Sequence, residues 1–188
     1  MVLGIPVLIA VILRFFGDNK YEIPVFYENG IINESCNIEL EGQYVTKELI
    51  IADGSKILWN NTISICYFYT ESNAFSFQSM EELARVFSTN RDPELLHIYT
   101  LGDETELKTS PLDTEYLRFS KSELEDLAKC RFLIESNNAY NGNPVFEYIV
   151  LIDKDGKIRG YYDSSDPDEY DRLSAEVDIL KLEMQEEK

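Results

Sequence analysis

The sequence predicts an α/β domain, a central mixed β-sheet flanked by helices, and three observations carry that prediction. Ile63 to Tyr69 (ISICYFY) is β-branched and aromatic with almost no polar residue, the composition of a central strand buried on both faces. Behind it, Met80, Leu83, Ala84 and Phe87 recur at spacings of three and four, the period of a helix with one apolar face. Near the C-terminus, Lys154-Asp155-Gly156 joins two further apolar runs, a hairpin signal. The length of 188 residues holds one ordinary domain with room for an anchor, and 44% hydrophobic residues suffice to bury a core.

The elements follow in order. Val2 to Leu13 is an unbroken apolar run bordered by Arg14, Phe15 and Phe16. A spanning helix needs about 20 apolar residues, so the run is short for one. No basic segment precedes it and no small-x-small site follows, as a signal peptide would require. An anchor shortened at its start, a signal sequence and a buried element are the three readings; the anchor, residues 1–16, is the one expected. Residues 17–43 read as a linker and irregular extension, with turn signals at Pro24, Asn29-Gly30 and Asn33-Glu34. The domain proper is expected over 44–188. Tyr44 to Ala52 is strand-like and closes on an Asp53-Gly54 turn. After the central strand, a helix is predicted from Asn73 to about Thr89, then a second buried strand from Leu95 to Leu101. A polar loop containing Pro111 leads to a helix that starts at Ser120, where Glu123 completes a capping box and Leu124, Leu127 and Ala128 form the stripe. Phe146 to Ile152 and Lys157 to Tyr162 are the hairpin strands. Asp166-Pro167-Asp168-Glu169 opens a last helix, with Asp as N-cap, Pro at the first position and acids at the positive dipole end. Tyr170, Leu173, Val177, Leu180 and Met184 supply its buried face. From Ile63 the order is β-α-β-α-β-β-α. Two strands joined through a helix pair in parallel by a right-handed crossover, and this is the order of a thioredoxin-like fold.

Composition narrows the chemistry. Thirty-five acids against 17 bases give a formal charge of −18, which a nucleic-acid backbone or a basic-patch membrane contact would oppose. The three cysteines, Cys36, Cys66 and Cys130, contain no C-x-x-C pair, so neither a zinc knuckle nor a dithiol motif is present. The single histidine, His97, leaves little scope for imidazole sites.

The stretch from Tyr148 to Asp163 (YIVLIDKDGKIRGYYD), followed by Asp166-Pro167 and an amphipathic helix, resembles the SCO/SenC family, as does Thr114 to Leu133. These are membrane-anchored thioredoxin-fold proteins that handle copper for cytochrome c oxidase. The resemblance covers most of the chain and is strongest in its last third. It implies a C-x-x-x-C motif after the first core strand and a histidine before the third. Both cysteine stations fall here on serine, Ser72 and Ser76, and the histidine station falls on or near Val145. Cu(I) prefers thiolates, and copper of either valence accepts imidazole; two neutral hydroxyls and a valine offer neither, and serines form no disulfide. The expectation is a divergent family member with no catalytic residues, no bound copper or other cofactor, and protein partners linked to respiratory oxidase assembly. Tyr69, Phe75 and Phe77 on the rim of the former site are candidates for partner contact, and the domain is expected on the periplasmic side of the inner membrane. The alternatives are a thiol oxidoreductase using one remaining cysteine singly, and residual metal binding.

Other candidates have plainer readings. Cys66 lies inside the predicted central strand and reads as a small buried hydrophobe. Cys36 lies in the irregular region, where a regulatory or disulfide role is open, and Cys130 ends a helix beside Arg131, which would lower its pKa. A disulfide among the three is open as well, but the sequence does not choose the pair. Asp153-x-Asp155-Gly156 lacks the glycine a calcium loop needs at its sixth position, Ile158 here, and reads as a turn. His97 reads as a packed strand residue. The acids Asp163, Asp166, Asp168, Glu169 and Asp171 start and solvate a helix, and Ser72 and Ser76 flank a helix start, where hydroxyls serve as caps.

Overall fold

The computed structural model describes residues 22–46, 48–51, 54–59, 61–69, 76–88, 92, 94–103, 115–134, 138–140, 143–145 and 148–186. Within them a five-stranded mixed sheet organises everything else. Its strands are β5 (Ile63–Tyr69), β6 (Leu96–Asp103), β7 (Glu115–Phe119), β10 (Tyr148–Ile152) and β11 (Ile158–Asp163), in the spatial order β11-β10-β5-β6-β7. β5 pairs β6 and β6 pairs β7 in parallel, while β10 runs antiparallel to both β5 and β11.

The central strand explains the two-sided core. Successive side chains point to opposite faces of a strand, so Ile63, Ile65 and Tyr67 enter one cluster and Cys66 and Phe68 the other. On the first face lie α1 (Ser76–Phe87) and α3 (Pro167–Glu186). They bury Met80, Leu83 and Phe87, and Tyr170, Leu173, Val177, Leu180 and Met184, the stripes the helical period predicts. On the second face lies α2 (Lys121–Asp126), burying Leu124, and the π-helical stretch that continues it buries Ala128. Beside it sits a short hairpin, β3 (Glu48–Ile50) with β4 (Lys56–Leu58), which contributes Leu49.

The local signals act where they were read. Ser120 accepts from the Glu123 amide while the Glu123 carboxylate accepts from the Ser120 amide, so both halves of the capping box form. The Asp166 carboxylate accepts from the Asp168 amide at 3.0 Å and caps α3. At the β10–β11 turn, Asp153 Oδ1 accepts from the amides of Asp155 and Lys157, and Gly156 sits at φ +81°. A Cβ there would stand 2.7 Å from the Thr46 carbonyl, so only glycine fits. Arg159, buried at the root of the hairpin, bonds Asp153 Oδ2 at 3.1 Å and the Ile23 carbonyl at 2.9 Å, with Glu183 of α3 closing the cluster.

Several elements differ from the sequence reading. β7 was not foreseen; its buried residues, Leu117 and Phe119, alternate across only five positions, too short a run to stand out beside the polar loop before it. β4 was also missed, and the strand expected over 44–52 is reduced to β3 because Tyr44 and Thr46 are buried by other means, Thr46 through two bonds to the Gly156 carbonyl. α1 is described from Ser76; the expected start at Asn73 lies outside the described residues, as does the polar loop over 104–114. In the extension, Ile23 joins the first core cluster and Phe26 N–H bonds the Ile158 carbonyl at 2.9 Å, so this stretch packs on the sheet. It continues into a small hairpin of β1 (Ile31–Asn33) and β2 (Ile38–Leu40), joined by a 3₁₀ turn over Glu34–Cys36. Completing the strand numbering, β8 (Asn138–Tyr140) and β9 (Asn143–Val145) form a further two-stranded ladder before β10.

Candidate functional site

Two regions could carry function. The first is the place where β5 hands over to α1. β5 is described to Tyr69 and α1 from Ser76, and Val145 ends β9 three residues before β10. β5 and β10 pair antiparallel in the central sheet, so the chain leaves β5 toward Ser76 at the end where it enters β10, while Val145 itself belongs to the separate β8–β9 ladder. Ser72 and Phe75 lie outside the described residues, and for Ser76, Phe77 and Val145 the backbone alone is described. Tyr69 is half-buried and packs against the first core cluster, which ties at least part of that aromatic rim to the core. The first turns of α1 and α3 are held together here: Ser79 Oγ and Tyr170 OH both donate to the Ser164 carbonyl, at 3.0 and 2.8 Å. Gln78, Glu82 and Ser165 line a cavity of about 230 Å³ beside them.

The second region holds the remaining cysteines. Cys36 and Cys130 form a disulfide across 94 residues of sequence, with Cα atoms 5.4 Å apart. Local structure aims both. Asn33 caps the 3₁₀ turn by accepting from the Cys36 amide at 3.2 Å, and Asn37 takes a left-handed conformation, φ 51°, that ends it. On the other side α2 widens into a π-helical stretch, Leu127–Arg131, that ends just past Cys130. Two phenols hold that end. Tyr44 OH donates to the Arg131 carbonyl at 2.9 Å and Tyr161 OH to the Phe132 carbonyl at 2.8 Å. Burial pushes both hydroxyls above the ordinary tyrosine range, although Arg131 opposes the shift at Tyr44, so both remain protonated donors. Both cysteines are half-buried, and the bridge borders a cavity of about 650 Å³.

Cys66 behaves differently. It is fully buried in β5, and burial pushes its thiol far above the ordinary range, which leaves it an unreactive core residue. His97 lies half-buried in β6, stacked on Tyr99 with its Nδ1 3.8 Å from Glu115, a packed strand residue. The acidic run before α3 works as a cap: Asp163 Oδ1 accepts from the Ser165 amide and hydroxyl. Among the described residues no three His, Cys, Asp or Glu side chains gather as a metal site would need. No described helix is long and apolar enough to cross a membrane, and residues 1–21 lie outside the described set. The disulfide partner is what sequence reasoning could not supply, because two cysteines 94 residues apart share no local pattern.

With this geometry in place, solved structures can be compared. A member of the Sco family of cytochrome c oxidase assembly proteins, BsSco, superposes with a TM-score of 0.53 at 17% identity, covering 73% of this chain and 94% of that one. The chain has a thioredoxin-like fold. A SCO1/SenC family lipoprotein from Bacillus anthracis matches at TM-score 0.54 and 12% identity, over 74% and 94% of the two chains. The thioredoxin domain of a thiol-disulfide oxidoreductase from Bacteroides vulgatus matches at 0.51 and 14%, over 74% and 99%. No family model matches the chain, and no curated protein sequence does. In the thioredoxin-like frame, the β5–α1 junction is where the sequence resemblance sets its cysteine stations, and the Cys36–Cys130 bridge lies on the other face of the sheet, against α2.

Proposed function

We propose that this chain is a divergent SCO/SenC-type protein that acts without catalysis, as a binding or assembly factor in respiratory oxidase biogenesis. One observation carries the reading: the chain has the thioredoxin-like strand, helix and hairpin framework, and the sequence resemblance sets the family's three ligand stations on Ser72, Ser76 and on or near Val145. Serine hydroxyls stay protonated near neutral pH and are poor ligands for Cu(I), so neither copper relay nor dithiol exchange has its residues there. The domain would sit on the extracytoplasmic side, tethered by residues 1–16. Two features support that placement: the apolar run Val2 to Leu13, and a disulfide of the kind that persists in oxidising compartments. The alternative of a cysteine acting singly is weakened, since Cys36 and Cys130 are bonded to each other and Cys66 is sealed in the core. The test is affinity capture with the full chain from detergent-solubilised membranes of the source organism, read by mass spectrometry. Oxidase subunits recovered in preference to other membrane proteins support the assembly role; their absence, in the presence of other specific partners, overturns it.

A further inference from the structure

We infer that the Cys36–Cys130 disulfide is an exchangeable bond, opened by a dithiol that attacks Cys130 Sγ, and that opening it releases the β1–β2 hairpin. Three observations converge. First, both sulfurs belong to half-buried residues, and access separates them: the 650 Å³ cavity is lined by both cysteines, whereas a second cavity of about 260 Å³, walled by Ile50, Phe119, Glu123, Asp126, Leu127 and Arg131, is lined by Cys130 and not by Cys36. A nucleophile entering there meets Cys130 and not Cys36. Second, the leaving group has a polar neighbour: Ser35 Oγ lies 3.7 Å from Cys36 Sγ, and its hydroxyl, which donates to Asn33 Oδ1 at 2.7 Å in the oxidised state, is within reach of the thiolate that would form. Third, among the described residues β1 and β2 pair with each other and with no strand of the central sheet. The disulfide is the covalent bond that holds the tip of this hairpin to the end of α2. Beneath it, Leu133, Ile134 and Lys129 floor a cavity of about 670 Å³ whose roof is the hairpin itself.

The step balances as ordinary exchange. One thiolate of the dithiol bonds to Cys130 Sγ; the Cys130–Cys36 bond breaks and Cys36 leaves as a thiolate, which takes up a proton. The second thiolate of the dithiol then attacks its own partner's sulfur in the mixed disulfide and expels Cys130. The dithiol ends as a cyclic disulfide, and two electrons and two protons reside on Cys36 and Cys130. This does not depend on the oxidase reading, and its test shares no readout with it.

The experiment uses the full oxidised chain with dithiothreitol at pH 7, alkylation at timed intervals and mass spectrometry of the three cysteines. Free Cys36 and Cys130 are expected to appear within about tenfold of the rate measured in denaturant, with Cys66 unmodified throughout. Reduction slowed by about a hundredfold or more, and accelerating with urea in step with global unfolding, would show a sealed structural bond and overturn the proposal. Amide hydrogen exchange on the same samples reads the release: on reduction, residues 31–40 are expected to exchange within about tenfold of an unstructured chain, while β5 and β10 stay protected, lowered by no more than the domain's loss of global stability. Equal protection in both states would refute the release. Finally, with glutathione disulfide, the thiol left in Cys36→Ser should form a mixed disulfide faster than the thiol left in Cys130→Ser; the reverse order would refute attack at Cys130.

Discussion

Reducing the Cys36–Cys130 bond should destabilise the domain measurably. The bond closes a loop spanning 94 residues. On a chain-entropy basis, cross-linking a loop of that length removes conformational freedom from the unfolded chain worth about 4.7 kcal/mol at 25 °C. That value is a ceiling for this fold. Once the bond is broken, the hairpin over residues 31–40 gains freedom in the folded state as well, because no backbone ladder joins it to the central sheet. The net loss should therefore be about 3 kcal/mol, within the usual range for a native disulfide. With a urea slope of about 2 kcal/mol/M, that loss lowers the unfolding midpoint by about 1.5 M. The assay is urea unfolding followed by far-ultraviolet circular dichroism, oxidised against reduced, with Cys36→Ser as a second reduced-state mimic. A thiol count on the same samples checks the premise: the oxidised chain should show a single free thiol, and only after denaturation, since Cys66 is buried. A midpoint shift below about 0.3 M would refute the reasoning. So would three reactive thiols in the denatured, unreduced protein.

Three further outcomes follow from the packing. Asp153→Ala removes the more buried of Arg159's two carboxylate partners and two turn bonds, and should cost about 3 kcal/mol in unfolding free energy; Glu183→Gln, at a more exposed position, should cost less than about 1 kcal/mol in the same denaturation assay. Gly156→Ala forces a Cβ against the Thr46 carbonyl at positive φ and should lower the thermal midpoint, whereas the same change at Gly54, where φ is also positive but no atom lies within 4 Å, should lower it less. The Glu123 carboxyl is held below its ordinary range by its bonds to Ser120. Its contribution is therefore present above the ordinary carboxylate range and fades as the pH falls through the lowered value. Ser120→Ala should cost about 1 kcal/mol near neutrality and less in acid, read by thermal melts across pH.

Much of this fold was legible because the decisive signals were local. The run ISICYFY reads as a central strand because it is short, β-branched and aromatic with little polarity, and β5 sits third of five in the sheet. The Ser120 box, the Asp166-Pro167 start and the Gly156 turn each depend on neighbours within four residues, and each forms as read. The strands that escaped notice were short. Glu115–Phe119 pairs β6 through backbone groups, and only Leu117 and Phe119 point into the core, so its identity as a strand comes from the neighbouring strand more than from its own composition. The disulfide escaped for a different reason. Asn33 and Asn37 orient Cys36, and the π-helical stretch orients Cys130, but nothing near either cysteine encodes the other. Ser72, Ser76 and Val145 were singled out only through the sequence resemblance, because serine and valine carry no chemical signature of a site.

The central claim is that the β5–α1 junction has lost its metal chemistry. The most direct test is a Cu(I) titration of the full chain, reduced and anaerobic, against a chromophoric chelator of known affinity. The account predicts that the chelator keeps its copper at all protein concentrations, with the same result for Ser72→Ala and Ser76→Ala. Withdrawal of one equivalent of Cu(I) per chain, diminished by either substitution, would contradict it.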